Sequence, residues 1–362
     1  MIDQQSLIWI LIIVFVSCIA GTIALNSVLL KFLKTLGTKN QPGKVMVRWS
    51  EQSKPATGGI SFFICFLFSL IAAFFMAGAS GFPSLKLVGW ILAGSLAFFS
   101  GLADDAYNTR PGMKFISQSV CAFTLILTGT SISYFQIPAL DMLLTYFWVV
   151  GLMNSLNMLD NMDAITSIVS IFILILFLIL ASTFESQQSF PFIIFLGMCG
   201  SLLGFLYHNW HPSKLFMGDS GSQLLGLLLA AGGIRFCWNL QLGDNPEIRN
   251  LVLPLLVFIL PIADTTLVSI NRIRNKRSPF VGGRDHSTHH LSYLGFKDNT
   301  IGIIFALLSL VHMTFAIIIS LFITEWTPAY TVLCSSYLLI VIITVFFIAS
   351  RNMKKGLYKY VK

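Results

Sequence analysis

Six aspartates stand where long apolar runs meet short polar segments: Asp104, Asp105, Asp160, Asp163, Asp219 and Asp264. Such carboxylates are hard oxygen ligands or proton acceptors. They suit Mg²⁺, which takes one or two protein carboxylates and leaves its remaining positions to water and phosphate. Lys114, Lys214, Arg272, Arg274, Lys276, Arg277 and Arg284, with His286, His289 and His290, lie in the same polar segments, and Lys54 in the one before the second run; they supply cations and donors for phosphate oxygens. Acid, base and metal together point to phosphoryl chemistry. In "LFMGDSGSQLLG" (215–226), Asp219 directly precedes an apolar run, so the free N–H groups and positive dipole end of the helix that follows add an anion-binding surface. Asn157, Asp160, Asn161 and Ala164 recur at i, i+3, i+4 and i+7 and share one face if that stretch is helical.

The elements that must hold these groups are read from composition. The chain is 56% hydrophobic and 10% charged over 362 residues, against about 25% charged in a soluble domain. This is the composition of a membrane protein. Bilayer spans need about 20 mostly apolar residues in a helix. Eleven such runs are predicted, near 7–30, 58–79, 86–103, 115–133, 137–158, 165–182, 191–207, 222–240, 248–270, 301–323 and 328–349. The fold class is therefore all-α and polytopic, one membrane domain over 1–362. The first run lacks the preceding positive charge of a signal peptide, since "MIDQQS" carries none, and is read as a retained span. All six cysteines fall inside apolar runs without CxxC spacing and are read as small core hydrophobes.

Charge distribution sets the expected orientation. Of the 23 Lys and Arg, 20 fall in residues 31–57, 104–114, 208–221, 271–300 and the tail after 350. By the positive-inside rule these segments face the cytoplasm, with the N-terminus outside and the C-terminus inside. The net charge of +8 then belongs to cytoplasmic loops facing anionic lipid and nucleotides rather than to nucleic-acid binding. On the same side come "GLADDAYNTRPGMKFISQ", "NSLNMLDNMDAITS", "HNWHPSKLFMGDSGS" and "PIADTTLVSINRIRNKRSPFVGGRDHSTHHL". Ionisable groups at membrane depth are costly and mark function; here they converge from distant parts of the chain.

Each motif also has a plainer reading. "GDSGS" suits an ordinary helix start, because Asp and Ser cap helices. Its likeness to the serine motif of trypsin-like proteases fails, since those are built from strands. His208, His211 and His312 are taken as structural. A proton-coupled transporter would place its carboxylates near the midplane and show repeated halves. An intramembrane hydrolase would need a serine and a base at span depth.

The motifs "ADD" followed by Lys114 and Gln118, "NMLDNMDA", "FMGDSGS", "PIADT" and "RSPF…RDHSTHHL" resemble the polyprenyl-phosphate N-acetylhexosamine-1-phosphate transferases (glycosyltransferase family 4). That superfamily includes the enzymes that start O-antigen, enterobacterial common antigen and teichoic acid linkage units, and the MraY enzymes of peptidoglycan synthesis. The resemblance implies transfer of a sugar 1-phosphate, foremost GlcNAc-1-phosphate, from a UDP-sugar to undecaprenyl phosphate with release of UMP. It also implies a bacterial inner-membrane location, a cytoplasmic site, Mg²⁺ (or Mn²⁺) as cofactor and a homodimer as one compatible assembly. It makes Asp219 the metal aspartate, with Asp105 as a second ligand. Asp104 and Asp105 become the pair acting on the lipid phosphate or the metal, and Lys114 a phosphate holder. Asn157, Asp160 and Asp163 fall around nucleotide and metal, with Asp160 and Asp163 counted as catalytic and Asn157 as substrate-binding, while Lys54, Asn209 and Phe216 hold uridine, the last by stacking. Arg284, His286, His289 and His290 belong to the histidine motif at the diphosphate and sugar end, with His286 and His290 counted as catalytic and Arg284 and His289 as substrate-binding. Three positions depart from the pattern: Asn108 replaces a further aspartate, Ala164 a usual glycine, and H-S-T-H-H the unbroken triplet of MraY, which argues against a MurNAc-pentapeptide donor.

The orientation predicts that cysteines placed at Ser53 or Ser278, in a chain with its native cysteines replaced, resist an impermeant thiol reagent in intact cells. Ready labelling at either position would invert the topology.

Overall fold

Nearly continuous runs of Leu, Ile, Val, Phe and Ala leave the backbone no partner but itself once water is excluded, so helices form throughout. The computed structural model describes residues 4–36, 54–77, 84–185, 189–241, 248–279 and 282–357. Ser53, Phe280, Lys39, Lys44 and Arg48 lie outside these residues, whereas Ser278 is exposed. Among these residues thirteen α-helices follow in order: α1 (Gln4–Leu36), α2 (Gly58–Ala77), α3 (Leu85–Tyr107), α4 (Pro111–Leu127), α5 (Pro138–Leu159), α6 (Ile165–Phe184), α7 (Phe190–Asn209), α8 (Gly218–Gly233), α9 (Ile248–Val257), α10 (Ile259–Arg274), α11 (Ser287–Tyr293), α12 (Asp298–Ile317) and α13 (Pro328–Lys354). Among the described residues the sole extended pairing is an isolated bridge between Ala56 and Phe216.

Each of the eleven predicted runs contains a helix, although the one expected at 115–133 leaves the helix after Leu127. Among the described residues, eight helices are long and apolar enough to cross a bilayer, and the bent pair α9–α10 would make a ninth. The other two runs are shorter as α-helix: α4 has 17 residues, and α8 has 16 before continuing as a π-helical turn, Ile234–Trp238. α6 and α7 are the most enclosed, with 72% of their apolar windows buried, while α13 buries 11% of its window. Its remaining apolar face is a surface for lipid tails.

Three local features aim side chains at the site. The α9–α10 run predicted as one span is bent by 74° at Phe258, where Pro261 has no N–H to give the Val257 carbonyl and its ring crowds that carbonyl. The bend turns Thr265, Ser269 and Arg272 of α10 toward the cleft described below. α3 stops at Asn108, which adopts φ 51°, a left-handed conformation that asparagine tolerates. Pro111 then starts α4 in its first turn.

α3 and α8 pass unusually close. A Cβ on Gly101 would sit 2.4 Å from the Asp219 carbonyl oxygen, so only glycine permits this crossing. Gly101→Val should force the helices apart and lower stability by at least about 3 kcal/mol, the upper end of over-packing costs. Thermal unfolding of detergent-solubilised protein would register the loss, and a variant as stable as the parent would refute this packing.

Candidate active site

Helices α3, α4, α5, α8, α10, α11 and α12, with loops between them, enclose a cleft of about 1190 Å³. Its wall carries Asp104 of α3, Lys114 of α4, Asn157 of α5, Asp160 and Asp163 of the α5–α6 turn, Phe216 and Asp219 at the start of α8, and His286 and His289 beside α11, with Lys54 before α2. Phe115, Val150 and Met158 supply an apolar side.

At the centre the Lys114 ammonium lies 2.6 Å from Asp219 Oδ2 and 3.1 Å from Asp104 Oδ2. Asn157 Nδ2 donates to Asp219 Oδ1 at 2.7 Å and to Ser222 Oγ at 2.8 Å. Asp104 Oδ1 accepts from the backbone N–H of Thr109 at 2.8 Å and from its hydroxyl. Two carboxylates thus converge on one cation at the cleft wall.

Asp105 does something different. Its Oδ1 accepts from the Asp219 N–H at 2.8 Å, and its Oδ2 from Ser220 N–H and Oγ at 3.0 and 2.8 Å. It therefore caps α8 from a neighbouring helix, with its charge at the positive end of the dipole. Gly218, at φ +73°, turns the chain into that cap.

A second cluster lies at the rim. Asp163 accepts from Ser213 N–H at 3.0 Å and Ser213 Oγ at 2.8 Å, and sits 3.1 Å from His211 Nδ1 and 3.6 Å from Lys54 Nζ. Lys54 also donates to Ser213 Oγ at 3.0 Å and stands 5.3 Å above the Phe216 ring. Phe216 is held by backbone bonds from its N–H to Pro55 O at 2.9 Å and from the Gly58 N–H to its own carbonyl at 3.0 Å.

The third cluster is the histidine loop. His286 Nδ1 is 2.7 Å from Asp264 Oδ2, and Ser287 donates to Asp264 Oδ1 through N–H and Oγ at 2.7 and 2.6 Å. Arg272 grips Asp285 with two bonds of 2.9 and 2.7 Å, a bidentate fork only arginine offers. α10 thereby fixes the loop that carries His286 and His289.

The glycosyl transferase family 4 model matches residues 87–236, a stretch that holds Asp104, Lys114, Asn157 and Asp219. A phospho-N-acetylmuramoyl-pentapeptide-transferase of Streptococcus uberis is 30% identical over 250 residues, covering 60% of this chain and 72% of the relative. The chain belongs to glycosyl transferase family 4. A probable undecaprenyl-phosphate N-acetylglucosaminyl 1-phosphate transferase of Bacillus subtilis is 25% identical over 329 residues, 86% of this chain and 88% of that protein. A decaprenyl-phosphate N-acetylglucosaminephosphotransferase of Mycobacterium leprae is 29% identical over 275 residues, 67% of each chain.

In this family 4 chain, four expected site residues stand elsewhere. Asp105 is occupied as the α8 cap rather than lining the cleft beside Asp219. Asn209 is buried; it accepts from the Ala164 N–H and donates to Leu215 O, each at 3.0 Å, so it ties two loops together instead of facing a nucleotide. Ala164 itself has φ 66°, which explains why glycine suits that position. Arg284 is exposed and away from the cleft wall. His290 also lies off the wall, against Asn352 of α13, which donates to its carbonyl at 2.7 Å. Conversely His211, read as structural, lines the cleft between Asp163 and Asp298 Oδ2, the latter 3.5 Å away. Its Pro neighbour and loop setting held no periodic signal. His208 and His312 are buried, the former beside Ser27 Oγ at 3.0 Å.

Burial pushes the His290 imidazole down to about 4. His289 is held well below its ordinary value by burial and then by the neighbouring His286. Both stay neutral in the folded protein while unfolded histidine protonates near 6.5. The unfolded state then binds more protons between about pH 6.5 and 4, so stability falls as pH drops through that window. The thermal midpoint should decline with acidification, and His290→Gln should flatten the decline; an unchanged slope would contradict the buried neutral state.

Proposed function

We propose that this protein transfers GlcNAc-1-phosphate from UDP-GlcNAc to undecaprenyl phosphate, releasing UMP, as a single membrane domain with its site on the cytoplasmic face of the bacterial inner membrane. The observation that carries this reading is the Lys114 ammonium shared by Asp104 and Asp219 at the wall of a large cleft with one apolar side. Support for the lipid acceptor and the sugar comes from the names of the B. subtilis and M. leprae relatives.

The residues fit a magnesium ion. No three His, Cys, Asp or Glu side chains among the described residues form a metal cage, and two hard carboxylates beside open volume match the way Mg²⁺ binds with water and phosphate as its remaining partners. Asp219 and Asp104 would hold it, where it would neutralise phosphate charge.

The chain's own groups account for the rest. A phosphate oxygen of the lipid attacks the sugar-bearing phosphorus in line, and the bond to UMP breaks with its electron pair leaving on the UMP oxygen. Two anions must meet, so Lys114 donates to a phosphate oxygen and offsets their repulsion. Asn157 keeps Asp219 oriented through its 2.7 Å bond. The nucleophile is already anionic, which favours direct displacement over a covalent intermediate. Phe216 offers a ring face for uracil, with Lys54 beside it. His286, oriented by Asp264, donates toward the diphosphate. The Phe115, Val150 and Met158 side takes the first prenyl units.

Asp219→Asn should leave a folded, membrane-inserted protein with at least about a hundredfold less activity. UMP release by purified protein given Mg²⁺ and undecaprenyl phosphate should follow UDP-GlcNAc. Exclusive use of UDP-MurNAc-pentapeptide would move the chain to the other branch, and no UMP from any donor would refute the reading.

A further inference from the structure

One helical turn below the ionic centre, the same three helices meet again. α4 contributes Lys114 and then Gln118, α5 contributes Asn157 and then Asn154, and α8 contributes Asp219 and then Gln223. Spacings of four, three and four residues put each pair on one helix face. The upper layer is charged, whereas the lower one is made of neutral amides.

The amides bond to one another. Gln118 Nε2 donates to Asn154 Oδ1 at 3.2 Å and to Gln223 Oε1 at 3.1 Å. Asn154 Nδ2 returns a bond of 2.7 Å to Gln118 Oε1 and another of 2.8 Å to Val150 O. Gln118 and Gln223 are each 1% exposed. Below them the helices are dry: Cys121, Ala122, Leu125, Met153, Leu224 and Leu227 are all buried.

This layer is not built for stability alone. Gln223 Nε2 is buried without a hydrogen-bond partner, a destabilising feature that an apolar side chain of the same length would remove. Buried polar groups of this kind mark sites where geometry is kept at the expense of stability. Neutral amides also suit the place. A carboxylate here would draw Lys114 away from Asp219, and a second cation would compete for Asp219 and Asp104; amides set the rotation of three helices without adding charge.

We propose that Gln118, Asn154 and Gln223 form a positioning layer that fixes the rotation of α4, α5 and α8, and so holds Lys114 and Asn157 on Asp219. Lys114 depends on it most, because it lies in the first turn of α4, four residues after the Arg110 cap, which supplies no side-chain bond. Gln118 is the first buried residue of that helix and its anchor to both neighbours. The assignment rests on the proposed transferase reading for its kinetic arm only.

The test uses full-length purified protein and two variants. Gln223→Met removes the unpartnered donor; its thermal midpoint should match or exceed the parent's while kcat for UMP release falls about tenfold and KM for UDP-GlcNAc stays within about twofold. A purely structural layer would give the opposite pairing, and a variant as stable and as fast as the parent, or one that is destabilised, overturns the proposal. Gln118→Met is followed by hydrogen exchange over residues 112–117, where the first turn of α4 should exchange at least fivefold faster. Unchanged exchange there overturns the positioning role whatever the activity does. If the parent itself releases no UMP, the transferase reading fails, and the exchange arm still decides whether the layer holds α4.

Discussion

The carboxylate of Asp105 on the first amides of α8 is the contact on which the site depends. Asp104 and Asp105 are neighbours on the last turn of α3, yet consecutive helical residues point about 100° apart. One therefore faces the cleft and the lysine, while the other faces α8. By binding the Asp219 N–H, Asp105 sets where the Asp219 side chain begins, and Gly101 one turn earlier allows the two backbones to approach closely enough for that bond. Asp219 is placed by α3 as much as by its own helix.

That arrangement separates charge from hydrocarbon in steps. The ionic contacts of Lys114 lie at the cleft wall, the amides of Gln118 and Asn154 line its floor with Gln223 buried behind them, and a dry core follows. Each step lowers the polarity that the next must satisfy, which is how an ionic centre can sit at the ends of membrane helices. The histidine loop reaches the same cleft from another direction, carried by α10 beyond its bend and tied down by Arg272 and Asp285.

Much of this was legible in the chain itself. Apolar runs of about 17 to 25 residues form helices in a bilayer, so the eleven segments and the all-α class followed from composition. The convergence of four polar segments followed from their common position at span ends. Polar groups beside hydrocarbon are expensive and rarely accidental, which marked Asp104, Lys114, Asn157 and Asp219 together with the other acids at span ends; the individual roles expected of them came from the family resemblance.

What the linear pattern could not decide was which polar atoms were already satisfied. Asp105 and Asn209 have the right types in the right motifs, but their oxygens and nitrogens are spent on backbone groups distant in the chain; His211 looked ordinary, yet the loop folds it between Asp163 and Asp298. The 74° bend was equally hidden, because the two prolines of that apolar run, Pro254 and Pro261, are compatible with a straight or a broken helix until their neighbours pack. Composition and periodicity determined that this chain builds helices in a membrane and gathers acids and bases at one set of helix ends, since both depend on each residue's own transfer energy. The partner of each polar atom depends on how helices rotate and cross, and only the tertiary structure decided that.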